Sequence, residues 1–155
     1  MIKYATLLVA FGFISGCQEA QMSSSNALQR KVISSPNAPA AIGPYSQAIQ
    51  AGDVLYCSGQ IALDPKTKKL ITASIEDETR QVLTNLGEVL KEAGYTFNDV
   101  VRATVFMTDI ENYKRINQVY AEFFSESKPA RAAVQVVKLP AGANVEISCV
   151  AVKTK

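Results

Sequence analysis

From Ile75 to Ala93 apolar residues recur at helical spacing: Ile75, Val82, Leu83, Leu86, Val89, Leu90 and Ala93. That period marks an amphipathic helix with one buried face. Ser74 is a natural N-cap, the acids Glu76, Asp77 and Glu78 fall in the first turn where the helix dipole favours them, and Gly94 provides a stop. A second helix is predicted over Asn112 to Phe124, with Tyr113, Ile116, Tyr120, Phe123 and Phe124 on its inner side. The remaining periodic segments read as strands. Arg30 to Ser34 is the first; Ser46 to Ala51 and Val54 to Ser58 form a hairpin joined near Gly52-Asp53. Pro36, Pro39 and Gly43-Pro44 break the stretch between them into a loop. A turn at Asp64-Pro65-Lys66-Thr67 precedes a short run, Lys69 to Ile71. Val100 to Met107, Ala132 to Val137 and Val145 to Val152 complete the set. Strands, helix, strand, helix, strands predict an α+β domain: a mixed sheet of six main strands with two helices packed on one face. The other sheet face is then either solvated or covered in an oligomer.

The chain begins differently. Lys3 precedes an apolar run from Tyr4 to Ile14, followed by Ser15-Gly16-Cys17. A positive tip, a short apolar stretch and small residues describe a secretory signal, and the run falls short of the ~20 residues needed to span a bilayer. Ile14-Ser15-Gly16-Cys17 resembles the bacterial lipobox, which implies removal of residues 1–16 and lipidation of Cys17. Residues 17–29, with Ser23-Ser24-Ser25-Asn26, read as a flexible tether, leaving residues 30–155 as the folded domain. Gln18, in place of an aspartate, implies the outer membrane, so the expected location is the periplasmic face of the envelope, held by lipid on Cys17. The competing reading is a buried N-terminal strand or helix with an incidental cysteine.

Composition narrows the chemistry. Hydrophobic residues at 48% and charged residues at 19% give a globular balance. A net charge of +2, nearer +1 without Lys3, is too small to argue for nucleic-acid binding. Histidine is absent, which removes Ser-His-Asp and Cys-His catalysis and nearly all zinc and copper sites. Cys17, Cys57 and Cys149 form no C-x-x-C pair, so no metal site is expected.

What remains is an arginine and a glutamate on strands. Alternation puts Arg131, Ala133 and Gln135 on one face of their strand and Ala132, Val134 and Val136 toward the helix-covered core. Glu146 and Ser148 share one face of the last strand, opposite Val145, Ile147 and Cys149. Pairing the two strands across the Leu139 to Asn144 turn would bring Arg131 and Glu146 to the same sheet face. A guanidinium fork suits a carboxylate and a glutamate can hold a water, although an ordinary surface ion pair accounts for the same spacing.

Pro129-Ala130-Arg131-Ala132-Ala133-Val134, then Leu139-Pro140 and Val145-Glu146-Ile147, resemble the signature of the RidA (YjgF) family. Ala38-Pro39-Ala40-Ala41-Ile42-Gly43-Pro44-Tyr45-Ser46-Gln47-Ala48, Ser58-Gly59-Gln60-Ile61 and Asn117 through Tyr120-Ala121-Glu122-Phe123-Phe124 are similar to its other segments, in order over most of the chain. The resemblance implies the RidA/chorismate mutase-like fold and a homotrimer with sites in clefts between subunits. It implies hydrolysis of small 2-imino or enamine acids to 2-keto acids and ammonia, with neither cofactor nor metal. Arg131 would clamp the substrate carboxylate and Glu146 would position or activate water. Tyr45 would line the pocket, Ser58 and Gly59 would contact substrate, and Asn117 would lie at the edge. Read without the resemblance, Tyr45 is a core aromatic, Gly59 a backbone requirement, Asn117 a local helix contact and Ser58 a packed strand residue. Many family members carry a cysteine where this chain has Ala133, so a pocket thiol plays no part. Parity sets Cys57 and Cys149 opposite Ser58 and Glu146, as buried thiols; an oxidising periplasm would allow them to pair. The alternative function is a non-catalytic, envelope-anchored trimer that binds small carboxylates or acts as a chaperone-like module. RNA cleavage, attributed to some relatives, is disfavoured by the near-neutral charge and the exported address.

Overall fold

The computed structural model describes residues 29–153. The expected signal peptide at residues 1–16, the lipidation site Cys17 and nearly all of the tether lie outside the described residues. Six strands form one sheet: β1 (Arg30–Ile33), β2 (Ala48–Ala51), β3 (Val54–Gln60), β4 (Val100–Met107), β5 (Ala130–Gln135) and β6 (Val145–Val152). Their spatial order is β1-β2-β3-β6-β4-β5, antiparallel throughout except for the parallel pair β4–β5. Two helices, α1 (Ile75–Glu92) and α2 (Tyr113–Phe123), cover one face. The short Lys69 to Ile71 run contributes a single bridge, Leu63 to Leu70, closing a turn in which Asp64 Oδ1 accepts from the backbone N–H of Lys66 and Thr67.

Helix α1 forms where its pattern predicts. Ser74 caps it by accepting from the backbone N–H of Asp77 at 3.1 Å, and Gly94 takes the left-handed conformation that ends it. Its apolar stripe of Val82, Leu83, Leu86, Val89 and Leu90 is fully buried. It packs on β3 and β6, in one core with Leu55 and Cys57 of β3, Ala103, Val105 and Met107 of β4, and Val145, Ile147, Cys149 and Ala151 of β6. Burial of each large side chain contributes about 1.5–3 kcal/mol, so this stripe secures the helix to the sheet. Helix α2 adds Ile116, Val119 and Tyr120 to the same core.

One expectation is overturned. β5 and β6 do not pair, because β4 lies between them. Arg131 aligns with Ala103 of β4 and Ala133 with Val105, both core residues on the helix side. Arg131 therefore faces the helix layer and Ala133 packs against the core. Ala132 and Val134 face the other way, and Val134 is 43% exposed. Glu146 aligns with Phe106, whose side chain lies on the uncovered face. Arg131 and Glu146 are thus on opposite faces of the sheet, not on one. Local alternation was right for each strand; the parallel crossover through α2, which inserts β4 between them, fixes which face is which.

Candidate active site

The uncovered face holds the glutamate half. At the end of β3 the pairing with β6 is interrupted between Cys57 and Gln60, and Gly59 sits in that irregularity. A side chain at Gly59 would collide with Glu146: an added Cβ would stand 1.9 Å from its Oε1 and 2.9 Å from its Cγ. Glycine is needed so that the carboxylate can lie against the β3 backbone. Burial raises the Glu146 carboxyl above its ordinary value. Ser58 donates from Oγ to the carbonyl of Ser46 at 2.6 Å, and its backbone N–H donates to the carbonyl of Gln47 at 3.0 Å. These bonds tie β3 to the loop that carries Tyr45.

That loop is braced from below by Gln47, which is buried. Its Nε2 donates to the carbonyls of Ser35, Ala38 and Pro39, the last at 2.7 Å, while its Oε1 accepts from the backbone N–H of Ser35. Four bonds from one buried amide fix a proline-rich segment that has no regular structure of its own. Tyr45 stands on this support at 49% exposure, so it is not a core aromatic. Together Ile42, Tyr45, Ser58, Gly59, Ile61, Pro140 and Glu146 line a cleft of about 360 Å³. Four of the six expected pocket residues are therefore in one place.

The other two, Arg131 and Asn117, lie on the helix-covered side, at the sheet's outer edge. The Arg131 guanidinium lies over the Tyr120 ring, 4.6 Å from its centroid, and donates from Nη2 to the Tyr113 hydroxyl at 3.2 Å. Stacking and one hydrogen bond leave most of its donors open. The Asn117 side chain and the Arg131 charge hold the Tyr113 hydroxyl below its ordinary pKa. Burial pushes Tyr120 up to about 12, so it remains a neutral phenol; its hydroxyl has no partner among the described residues. Asn117, Tyr120, Phe124, Lys128, Pro129 and Arg131 border a second, more open cleft of about 510 Å³.

Two contributors were missed in the sequence. Tyr113 was assigned to the inner side of its helix, yet it is exposed and holds the guanidinium. Its spacing to Asn117 and Tyr120, four and seven residues on, is the helical-face signal that points to it. Glu78 was read as a dipole partner at the start of α1. It is instead buried at 1% exposure and accepts from the backbone N–H of Asn144 at 2.6 Å and of Val145 at 3.3 Å, and from Asn144 Nδ2 at 3.0 Å. It thereby anchors the start of β6, one residue before Glu146.

Residues 35–153 match the family model described as Endoribonuclease L-PSP. The chain belongs to the RidA (YjgF) family. It is 50% identical to the 2-iminobutanoate/2-iminopropanoate deaminase of Mus musculus over 124 residues, covering 80% of this chain and 92% of that protein. It is equally similar, at 50% over 124 residues, to a RutC family protein of Pyrococcus horikoshii, covering 80% of this chain and 98% of the relative. Among solved structures, that of E. coli TdcF with bound serine superposes with a TM-score of 0.76 at 38% identity, covering 80% of this chain and 99% of that one. The solved RidA structures share its six-stranded sheet and two helices, and membership of the family suggests small-molecule binding and oligomerisation.

Proposed function

We propose that this protein hydrolyses small 2-imino and enamine acids to 2-keto acids and ammonia, at sites completed between subunits of a homotrimer. The observation that carries this reading is the division of the site. One open cleft holds a guanidinium with free donors, another holds a partly desolvated carboxylate, and they lie on opposite faces of one sheet. Each half alone lacks what the other supplies. A ring of head-to-tail contacts joins one chain's Arg131 cleft to the next chain's Glu146 cleft.

In that joined cleft the substrate carboxylate takes the Arg131 fork, steadied by Tyr113 and Tyr120, and this orients the adjacent C=N bond. Water held by Glu146 adds to the imine carbon: the C–O bond forms and the C=N π pair moves to nitrogen. Glu146 accepts the water proton and returns it to nitrogen; a carboxyl raised by burial is better matched to that exchange near neutral pH. Collapse of the carbinolamine breaks the C–N bond, releases ammonia and leaves the 2-keto acid. Ser58 and Gly59 contact the substrate, Tyr45 and Ile42 enclose its side chain, and Asn117 closes the rim. The scheme uses no cofactor or metal. Relatives named as 2-iminobutanoate/2-iminopropanoate deaminases support the substrate class. We place the domain on the periplasmic face of the outer membrane, held through lipid on Cys17 and the tether; palmitate labelling lost in Cys17→Ser tests that address.

The purified domain should accelerate keto-acid release from imines generated in situ by an amino-acid oxidase. Arg131→Ala should lower kcat/KM by about 100-fold or more, the scale of losing a charge-assisted clamp. No acceleration by the wild type, or an undiminished rate in the variant, removes the enzyme reading. Serine bound in the related TdcF structure favours a second reading, a module that binds small carboxylates without turnover. Saturable keto-acid binding with no rate enhancement would select it.

A further inference from the structure

Cys57 of β3 and Cys149 of β6 are register partners on adjacent antiparallel strands. Residues so opposed share a sheet face with Cα atoms about 4.5–5.5 Å apart, inside the roughly 4.4–6.8 Å that a disulfide spans. Both face the helices, both are buried, at 6% and 5% exposure, and both are free thiols here. The two thiols lie near enough for Cys57 to act on the ionisation of Cys149. Neither lines the Arg131 cleft or the Glu146 cleft.

We propose that Cys57 and Cys149 are a modification site, closed as an intrachain disulfide when the chain folds in an oxidising compartment. The oxidant is a disulfide donor, an oxidised dithiol protein or oxidised glutathione. The thiolate of one cysteine attacks a donor sulfur, forming a mixed disulfide and expelling the donor's other sulfur as a thiolate. The thiolate of the second cysteine attacks the mixed disulfide, forms the Cys57–Cys149 bond and expels the remaining donor sulfur. The two cysteines lose two electrons and two protons in all, and the donor gains them as thiols.

Folding order decides when this happens. The hydrogen bond with Cys57 and burial push the Cys149 thiol up, away from the reactive thiolate. Exchange therefore belongs to the chain before the sheet closes over the pair. Afterwards the same burial shields the bond from reductants. The closed loop contains α1, β4, α2 and β5, and bonds that close long loops constrain the unfolded chain most. The bond also locks β3 to β6, the strands that carry Ser58, Gly59 and Glu146. None of this depends on the imine reading; it rests on register, on burial and on the proposed export to an oxidising compartment.

The full chain is unfolded, refolded in a glutathione redox buffer, alkylated, and digested without reduction for peptide mapping by mass spectrometry. A linked peptide pair carrying Cys57 and Cys149, lighter by two hydrogen atoms than the free pair, is the expected product. Its Tm should fall by about 10 °C when a strong dithiol reductant is present throughout melting. The double variant Cys57→Ala, Cys149→Ala should melt at one temperature with or without reductant. Alkylated Cys57 and Cys149 from the folded, redox-treated protein, or a bond from either to Cys17, overturns the proposal. If the double variant does not fold, the wild-type peptide map decides alone.

Discussion

The two residues that carry the proposed chemistry were visible in the sequence for one reason. Arg131 and Glu146 stand in a family signature, while their strand alternation alone was compatible with a solvated ion pair. Glu146 gains its character from its neighbours: the absent side chain of Gly59 admits the carboxylate, and the surrounding cleft desolvates it. Neither influence is local in sequence, so neither could be read there. The raised carboxyl has a thermodynamic consequence. The folded state binds the Glu146 proton more tightly than the unfolded chain does. The stability from that protonation is complete below the ordinary glutamate value of 4.5 and is lost as pH rises through the raised folded value. Glu146→Gln mimics the protonated form at every pH. Its urea midpoint should exceed that of the wild type near pH 7, and the gap should close as pH falls to about 4. A gap of constant size across that range would mean that Glu146 is no less solvated when folded than when unfolded. The same variant should lose most imine hydrolysis, so stability and activity would move in opposite directions.

At the scale of elements, periodicity reported most of the fold. α1 starts at Ile75 as expected and ends one residue short of Ala93, while β4 and β6 have the bounds that their β-branched runs predict. β5 was placed two residues late, and its faces were assigned backwards. As an edge strand rich in alanine it has no buried large residues to mark its inner side, so its orientation comes from its partner β4. Glu78 shows the same limit on a helix. In sequence it is one of three acids in a first turn, yet Glu76 pairs with Arg115 of α2, Asp77 accepts the Ser74 hydroxyl, and only Glu78 turns inward. Its carboxylate satisfies three donors at the start of β6. Glu78→Ala would leave the buried Val145 N–H and the partly buried Asn144 N–H without their acceptor, at about 1–3 kcal/mol for the buried one and less for the other. We expect it to lower stability by about 3 kcal/mol in urea denaturation and to reduce kcat through displacement of Glu146. Glu78→Gln retains an acceptor and should cost about half as much. Breaking the exposed Arg115 to Glu76 pair instead should leave the urea midpoint almost unchanged, because a solvated ion pair contributes little.

For the whole molecule, the division of the site across the sheet becomes a property of assembly. No side-chain rotation brings Arg131 and Glu146 together, because the sheet itself separates them. The uncovered face bears Val32, Tyr56 and Val134, all large and exposed in the isolated chain. A partner that covered it would join two clefts and remove this apolar surface from water in one step. Sequence alternation left this face either solvated or covered in an oligomer; the strand order, by setting the two groups on opposite faces, ties the proposed site to that cover. A mixing experiment separates this arrangement from a site held within one chain. Arg131→Ala and Glu146→Gln homomers should each be nearly inactive. When the two are unfolded together in equal amounts and co-refolded, each interface draws its arginine half and its glutamate half independently. Half of the arginine halves and half of the glutamate halves are intact, so about a quarter of the sites recover both, and about a quarter of wild-type activity should return. Mixing the folded homomers without unfolding should return far less, because subunits must exchange first. If the site lies within one chain, every chain in the mixture still lacks one of the two groups, and no protocol restores activity.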